Sequence, residues 1–138
     1  MPLTKNEKRV PKVGEHLEIY IVEDDDDVRD SLARLIRSIG LNPRTYASAE
    51  LFLAASAASI RGCILLDLTM PRMTGQDVLA RLKEIGNTVP VIVISARDDE
   101  ATRALVRDLG ARMFLRKPVD DQALFDAINW ATGGTLGR

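Results

Sequence analysis

The sequence has few of the residues that several classes of protein require. Its 138 residues include one cysteine, Cys63, and one histidine, His16. A single cysteine excludes an intramolecular disulfide, and a single histidine gives little support to imidazole metal clusters or to Ser-His and Cys-His catalytic arrangements. The formal net charge is only -1, so no global basic field is available to recruit nucleic acid. No apolar run is long enough to span a bilayer.

The remaining composition is ordinary for one globular domain. Hydrophobic residues make up 46% of the chain and charged residues 28%, which is too apolar for a disordered protein. We predict a mobile N-terminal arm over residues 1–16, a folded domain over 17–131 and a tail over 132–138. The unpaired cysteine, in a predicted central strand, and the absence of a signal-peptide core favour a cytoplasmic setting.

Short apolar runs alternate with segments of helical periodicity along the whole domain. The runs predict five strands, at residues 17–22, 44–47, 63–67, 89–94 and 111–116, each followed by a helix. This alternation predicts an α/β fold with a parallel sheet that is covered by helices on both faces.

The sequence specifies the apolar faces of the predicted helices residue by residue, and the first helix is expected to bury Val28, Leu32, Leu35, Ile36 and Ile39. We expect the third helix to bury Val78, Leu79, Leu82 and Ile85, the fourth to bury Ala101, Ala104, Leu105 and Leu109, and the fifth to bury Leu124, Phe125, Ile128 and Trp130.

Polar residues stand where four of the strands end. Glu23 and Asp24 follow the first strand, Asp67 ends the third, Ser95 the fourth and Lys117 the fifth. In a parallel sheet these ends share one edge. Adjacent carboxylates there require a cation, and oxygen ligands suit Mg²⁺. Asp67 beside a metal and an ammonium is equipped to attack a phosphoryl group and form an aspartyl phosphate, which the Ser95 hydroxyl would then bond.

The acidic run after the first strand extends further than a metal site needs. Asp25 or Asp26 is suited to cap the following helix, and Asp27 adds negative charge to its first turn. One alternative remains: if Asp24 and Asp25 formed the metal pair, the first strand would be one residue longer.

These residues together resemble the receiver domain of bacterial response regulators, the CheY-like family of two-component signalling. The resemblance covers about residues 17–131. It rests on the acidic pair, on Asp67 in the pattern Asp-x-x-x-Pro-x-x-x-Gly, on Ser95, and on Lys117 followed by Pro118. It implies a doubly wound, flavodoxin-like (βα)5 three-layer sandwich with strand order 2-1-3-4-5.

The resemblance also implies roles for individual residues. Asp67 would be the phosphoacceptor, and Mg²⁺ would be held by Asp24, Asp67 and the backbone carbonyl of Thr69, with Glu23 acting through water. The phosphodonor would be a sensor histidine kinase or a phosphotransfer protein. The domain would not be an enzyme beyond its own phosphorylation and slow autodephosphorylation.

Further family features concern the switch and its output. Ser95 and Phe114 would be the switch residues, and the Lys117-Pro118 bond would be cis. The partner surface would be formed by the fourth helix, fifth strand and fifth helix, through which a homodimer would also form. Two departures from the commonest pattern are the Glu-Asp pair, in place of Asp-Asp, and Ser95, in place of Thr.

Rival functions are weaker on the same residues. A Mg²⁺-dependent phosphatase would need a second acid close after the nucleophile, but Leu68 and Thr69 follow Asp67. A flavin-binding module would need a phosphate-cradling loop after the first strand, where this chain has five acids. Within the receiver interpretation, we favour a stand-alone receiver, and the alternative is a fragment of a longer DNA-binding transcriptional regulator.

Overall fold

The computed structural model describes residues 17–55 and 61–133. The predicted N-terminal arm, residues 1–16, lies outside the described residues, as do residues 134–138 of the predicted tail.

Strands and helices alternate along the described chain as the apolar pattern predicts. In chain order they are β1 Glu18–Val22, α1 Asp26–Ser38, β2 Asn42–Tyr46, α2 Ala49–Ala55, β3 Gly62–Asp67, α3 Gly75–Glu84, β4 Val91–Ser95, α4 Glu100–Asp108, β5 Met113–Arg116 and α5 Asp121–Ala131. Side-chain caps begin several helices: Asp25 accepts from the Val28 amide, and Asp120 accepts from the Ala123 amide.

The five strands form one parallel sheet in the order β2-β1-β3-β4-β5. This confirms the predicted order 2-1-3-4-5 and the doubly wound fold. The chain leaves β1 toward one edge of the sheet and passes from β3 toward the other. Such a reversal opens a crevice outside the carboxyl ends of the two central strands, where ligands bind in this class of sheet.

Each face of the sheet carries its own hydrophobic cluster, because alternate side chains of a strand point to opposite faces. Ile19 and Ile21 of β1 pack in the cluster that includes Ile36 of α1 and Ile128 of α5. The other cluster unites side chains from α2, α3 and α4 with alternate residues of the strands; its members include Val22, Phe52, Leu66, Leu79 and Val106. These two cores make the sheet the rigid middle layer of a three-layer sandwich.

The predicted apolar face of α4 is only partly confirmed: Leu109 is partly buried and packs against the core, but the buried positions within the helix differ from the predicted ones by one residue. Thr102 and Val106 are the buried positions, whereas Ala101 and Leu105 are exposed. The buried face is therefore turned by about 100° from the predicted one. Burial of Thr102 is tolerated because its hydroxyl lies 2.8 Å from a carboxylate oxygen of the N-cap residue Asp99, to which it donates.

Two other residues predicted to be in the core are exposed. Ile85 is 54% exposed because it caps the C-terminus of α3, beyond the last turn that packs on the sheet. Trp130 is 63% exposed because Ala127, Ile128 and Ala131 form the face of α5 that meets the core. Helical periodicity alone placed both residues on the wrong side.

Cys63 is fully buried in β3, as its position in an apolar run predicts. Burial raises the pKa of its thiol to about 12, so the reactive thiolate is scarce at neutral pH. None of the helices in the described part of the chain is both long and apolar enough to cross a membrane.

Replacing Arg72 with Gly is expected to stabilise the fold. Arg72, in the loop after β3, has a φ of 66°, a left-handed conformation that costs a side-chain-bearing residue about 1 kcal/mol. Its ion pair with Glu50, at 3.6 Å, is exposed and contributes little. Urea unfolding should show a higher midpoint with an unchanged slope.

A matched substitution in a helix should have the opposite effect. Arg81 is exposed on α3, where glycine costs about 1 kcal/mol of stability. Equal losses of stability for Arg72→Gly and Arg81→Gly would contradict the role assigned to the positive φ.

Candidate functional site

The site lies at the carboxyl ends of the neighbouring strands β1 and β3, where the chain leaves the two strands toward opposite edges of the sheet. Glu23 and Asp67 lie here with 1% and 4% of their surface exposed, so two acids are buried side by side. Lys117 reaches them from the end of β5: its Nζ lies 2.9 Å from Glu23 Oε1 and 3.1 Å from Asp67 Oδ1. One ammonium is therefore shared between two buried carboxylates.

The charges in this cluster do not balance, and the pKa values reflect it. Burial, and after it the neighbouring Glu23 carboxylate, raise the pKa of Asp67 to about 6 against the opposing effect of Lys117. Burial lowers the pKa of Lys117, but its ion pairs with Glu23 and Asp67 outweigh burial and raise the net value. Lys117 is thus a fixed positive charge at neutral pH, and the acids retain an unneutralised excess of negative charge.

Without a divalent cation, Asp67→Asn is expected to raise the free energy of unfolding at neutral pH. The Asp67 carboxylate ionises less readily in the folded protein than in the unfolded chain, so its charge costs stability above a pH of about 6. This cost is at most about 3 kcal/mol at neutral pH. This cost disappears as the pH falls from about 6 to about 4, because Asp67 then becomes protonated in the folded and in the unfolded protein alike.

Urea unfolding across this pH range measures the effect. The control is Asp27→Asn, which removes an exposed acid of α1 outside the cluster. An advantage of Asp67→Asn that stayed constant down to a pH of about 4 would show that it does not arise from the charge.

Glu23 is held by backbone contacts on both sides. Its Oε2 accepts from the Asp25 amide at 3.1 Å, and its carbonyl oxygen accepts from Arg29 Nη1 at 2.9 Å. The direct ion pair between Glu23 and Lys117 is a feature that the sequence analysis missed. The signal for it was the longer side chain of Glu at a position where the family more often has Asp.

The acids also form a group that fits a metal ion. One carboxylate oxygen each of Glu23, Asp24 and Asp67 lie within 4.8 Å of one another, and Asp24 faces solvent. Hard oxygen donors with an open, hydrated side match the preference of Mg²⁺. Asp25 does not belong to this group, because its carboxylate caps α1.

The loop after Asp67 is shaped by Gly75. Its amide donates to the Leu68 carbonyl at 3.0 Å and closes the loop onto the start of α3. A Cβ at this position would lie 2.5 Å from the Asp67 carbonyl oxygen, so only glycine fits. Thr69 is exposed in this loop, beside Asp67, and its predicted carbonyl contact to a metal stays a prediction.

Ser95 and Phe114 occupy neighbouring strands on the other side of β3. Ser95, buried at the end of β4, accepts from the Arg97 amide at 3.0 Å, and its carbonyl accepts from the Lys117 amide. Phe114 is half-buried in β5. Ser95 is thereby tied through the backbone to Lys117, and the Lys117-Pro118 bond is cis, as expected.

A second contact that the sequence analysis missed covers Phe114. The guanidinium carbon of Arg103, in α4, lies 4.6 Å from the centre of the Phe114 ring, a cation–π geometry. Arg103 is also ion-paired with Asp98, in the loop that leads from Ser95 to α4. The one-residue error in the face of α4 concealed this contact from sequence reasoning.

Comparison with known proteins gives a consistent result. The family model described as "Response regulator receiver domain" matches residues 19–129. Response regulator protein TodT of Pseudomonas putida is 41% identical over 113 residues, which are 82% of this chain and 50% of that protein. Transcriptional regulatory protein FixJ of Azorhizobium caulinodans is 39% identical over 119 residues, which are 86% of this chain and 56% of that protein.

A solved structure agrees with the sequence matches. The crystal structure of a response regulator receiver protein from Burkholderia phymatum is 35% identical and superposes with a TM-score of 0.76, covering 88% of this chain and 99% of that one. The chain thus spans about half the length of the curated relatives it matches, and nearly the whole of this receiver structure.

Proposed function

Because the chain belongs to the response regulator receiver domain family, we propose that it accepts a phosphoryl group on Asp67 in a Mg²⁺-dependent reaction and changes its surface in response. The observation that carries this proposal is the buried Asp67 carboxylate at the end of β3, 3.1 Å from Lys117 Nζ and grouped with two further acids. The donor is a sensor histidine kinase or a phosphotransfer protein, and the setting is the cytoplasm. The domain is a phosphoacceptor that turns over no other substrate.

The proposed transfer needs one nucleophile and fixed positive charge. An Asp67 carboxylate oxygen forms the new O–P bond while the P–N bond of the donor phosphohistidine breaks, and the released imidazole retains the electron pair and takes up a proton. Lys117 neutralises charge on the phosphoryl oxygens as they transfer. A bound Mg²⁺, held by Asp24, Asp67 and the Thr69 carbonyl, with Glu23 nearby, would supply further positive charge.

Glu23 has a separate role in this proposal. Its ion pair with Lys117, at 2.9 Å, remains available when the Asp67 oxygen becomes part of an acyl phosphate. Lys117 can then exchange its contact with Asp67 for one with a phosphoryl oxygen without losing its anchor. The Asp25 amide supports this role, because it donates to the other carboxylate oxygen of Glu23 and so fixes the carboxylate from the other side.

The proposed response begins at Ser95. Its hydroxyl would donate to a phosphoryl oxygen. The Arg97 amide donates to the hydroxyl oxygen of Ser95, so the loop to α4 would move with Ser95. That loop contains Asp98, whose ion pair holds Arg103 over Phe114. Phosphorylation would thereby alter the surface formed by α4, β5 and α5, which the proposal assigns to the output partner or to a homodimer.

The mass of the intact protein tests phosphorylation directly. Incubation with a small-molecule phosphodonor and Mg²⁺ should add the mass of one phosphoryl group, and a chelator should prevent the gain. No gain under any condition would leave the fold unchanged but would refute the proposed function.

Mg²⁺ is expected to raise the thermal midpoint of the protein, and Asp24→Asn to abolish most of the rise. A ligand that binds only the folded state at a hundredfold excess over its Kd stabilises it by about 2.7 kcal/mol. Asp24→Asn removes one oxygen ligand of the acidic group, whereas Asp27→Asn removes an exposed acid of the same run outside that group. An equal loss in both variants would indicate nonspecific attraction of the cation.

The output of the whole protein is a second proposal. The relatives are named as response regulators or transcriptional regulatory proteins, and each is about twice as long as the matched region. This favours the alternative in which the receiver controls a DNA-binding domain of a longer regulator over a stand-alone receiver.

A further inference from the structure

Arg29, near the start of α1, holds the backbone segment that carries the acids. Its Nη1 donates to the Glu23 carbonyl oxygen at 2.9 Å and lies 3.5 Å from the Asp24 carbonyl oxygen. Its Nη2 forms an ion pair with Asp26. Only 16% of the Arg29 side chain is exposed, whereas the Asp26 side chain is 81% exposed. The guanidinium therefore lies against the backbone that joins β1 to α1.

The needs of α1 alone do not explain a cation at this place. The helix dipole repels positive charge near the start of a helix and favours it in the last turn, where Arg37 lies. The start of α1 also has its own cap, because Asp25 accepts from the Val28 amide. Two explanations of Arg29 remain: its charge offsets the repulsion within the acidic run, or its hydrogen bonds fix the backbone of that run.

Arg29 connects the acids to the rigid part of the fold. α1 packs on the sheet through its buried residues, which are Leu32, Ala33 and Ile36. A guanidinium has several donors in one plane, so it can bond two carbonyl oxygens and a carboxylate at the same time. The two carbonyls belong to Glu23 and Asp24, whose carboxylates form the acidic group with Asp67. A side chain anchored on α1 thus holds two of the three acids from behind.

We propose that Arg29 is a positioning residue for the metal site. By holding the backbone of Glu23 and Asp24, it keeps their carboxylates grouped with that of Asp67, where they can bind Mg²⁺. Residues that orient metal ligands in this way typically change metal affinity by about ten- to a hundredfold when they are replaced. The proposal rests on the proposed function in taking the acidic group as a Mg²⁺ site, whereas the contacts of Arg29 do not depend on it.

The charge of Arg29 alone would have the opposite effect on the metal. A positive charge beside the acidic group repels Mg²⁺, so neutralising a residue that acted only through its charge would strengthen Mg²⁺ binding. The loss of a positioning residue weakens binding instead. The sign of the change in Mg²⁺ affinity therefore separates the two roles.

The test compares Arg29→Gln, which removes the charge, with Arg29→Lys, which keeps it. A lysine ammonium is a single point of charge on a flexible stem and does not reproduce the planar set of donors. The thermal midpoint of the whole chain would be measured as MgCl₂ is raised at constant ionic strength, and its dependence on Mg²⁺ gives the apparent Kd. Arg37→Gln and Arg37→Lys, at an exposed position in the last turn of α1, are the matched controls.

Both Arg29 variants should raise the Kd for Mg²⁺ about tenfold or more, and both Arg37 variants should leave it unchanged. The Mg²⁺ concentration that gives half the maximal rate of phosphoryl uptake should rise by the same factor in the Arg29 variants. The rate at saturating Mg²⁺ should stay close to that of the native chain. A residue that only stabilised the fold would lower the thermal midpoint without Mg²⁺ and leave the Kd unchanged.

An unchanged or lower Kd in Arg29→Gln, or a native Kd in Arg29→Lys, would overturn the positioning role and leave the proposed function intact. A native chain that does not bind Mg²⁺ would refute the role of Arg29 together with the metal dependence of the proposed function. A chain whose Mg²⁺ affinity depends on Arg29 as expected, but which gains no phosphoryl group, would refute the phosphoacceptor role of Asp67 alone.

Discussion

Phosphoryl uptake from a small-molecule donor is expected to stop completely in Asp67→Asn. An amide cannot attack phosphorus to give the acyl phosphate that a carboxylate forms, and the variant keeps the size and shape of the side chain. The intact mass of the variant should therefore remain that of the untreated protein at every time point.

The control for this experiment must have a similar charge change. Asp77→Asn is suitable, because Asp77 is a carboxylate of α3 that acts in a capping box with Thr74. Its loss should cost about 1 kcal/mol of stability and leave phosphoryl uptake intact. A single phosphoryl group on Asp67→Asn would show that another residue is the acceptor and would remove the basis of the proposed function.

Replacing Lys117 with Gln should slow phosphoryl uptake by about 10² to 10³, as in other sites that lose one preorganised donor of positive charge. The variant leaves Asp67 available as a nucleophile, so uptake should be slow and not absent. The initial rate of mass gain at fixed donor and Mg²⁺ concentrations measures the effect. Lys83→Gln is the control, since Lys83 is exposed on α3 and its Nζ donates to the Asp108 carbonyl, away from the acidic cluster.

Lys117→Gln should also have an effect on stability that distinguishes its two roles. Without the ammonium, Glu23 and Asp67 are left as buried acids with no cation between them, which costs roughly 3–5 kcal/mol at neutral pH. Mg²⁺ should restore much of this loss, because it supplies the missing positive charge. If Lys117→Gln takes up phosphoryl groups as fast as the native chain, under conditions in which the variant is fully folded, the role of Lys117 in transfer is refuted.

The sequence was sufficient to predict the arrangement of the site. Asp67, Ser95 and Lys117 each end a short apolar run, and in a parallel sheet such ends must come to one edge. This inference needs only the direction of the strands and no knowledge of side-chain conformations. For the same reason, the alternation of strands and helices predicted a sheet that is covered by helices on both faces, and the family resemblance predicted the strand order.

Contacts that depend on side-chain reach could not be predicted in the same way. The ion pair of Glu23 with Lys117 joins residues far apart in the chain, and the one sign of it in the sequence is a Glu where the family more often has Asp. The face of α4 was also missed, because a threonine whose hydroxyl is satisfied by Asp99 replaces the expected apolar residue. Trp130 was wrongly predicted to be buried, because a large apolar side chain is assigned to the core by default and the sequence alone does not show which side of α5 meets the sheet.

The burial of Cys63 has a practical consequence for labelling. The chain contains no other cysteine, and this thiol is inaccessible and largely protonated at neutral pH. Cysteines introduced together at the exposed positions Leu105 and Trp130 would therefore be the two sites that react with a maleimide dye or spin label. The native background needs no prior cysteine removal, so distance measurements between α4 and α5 can be made on an otherwise unaltered protein.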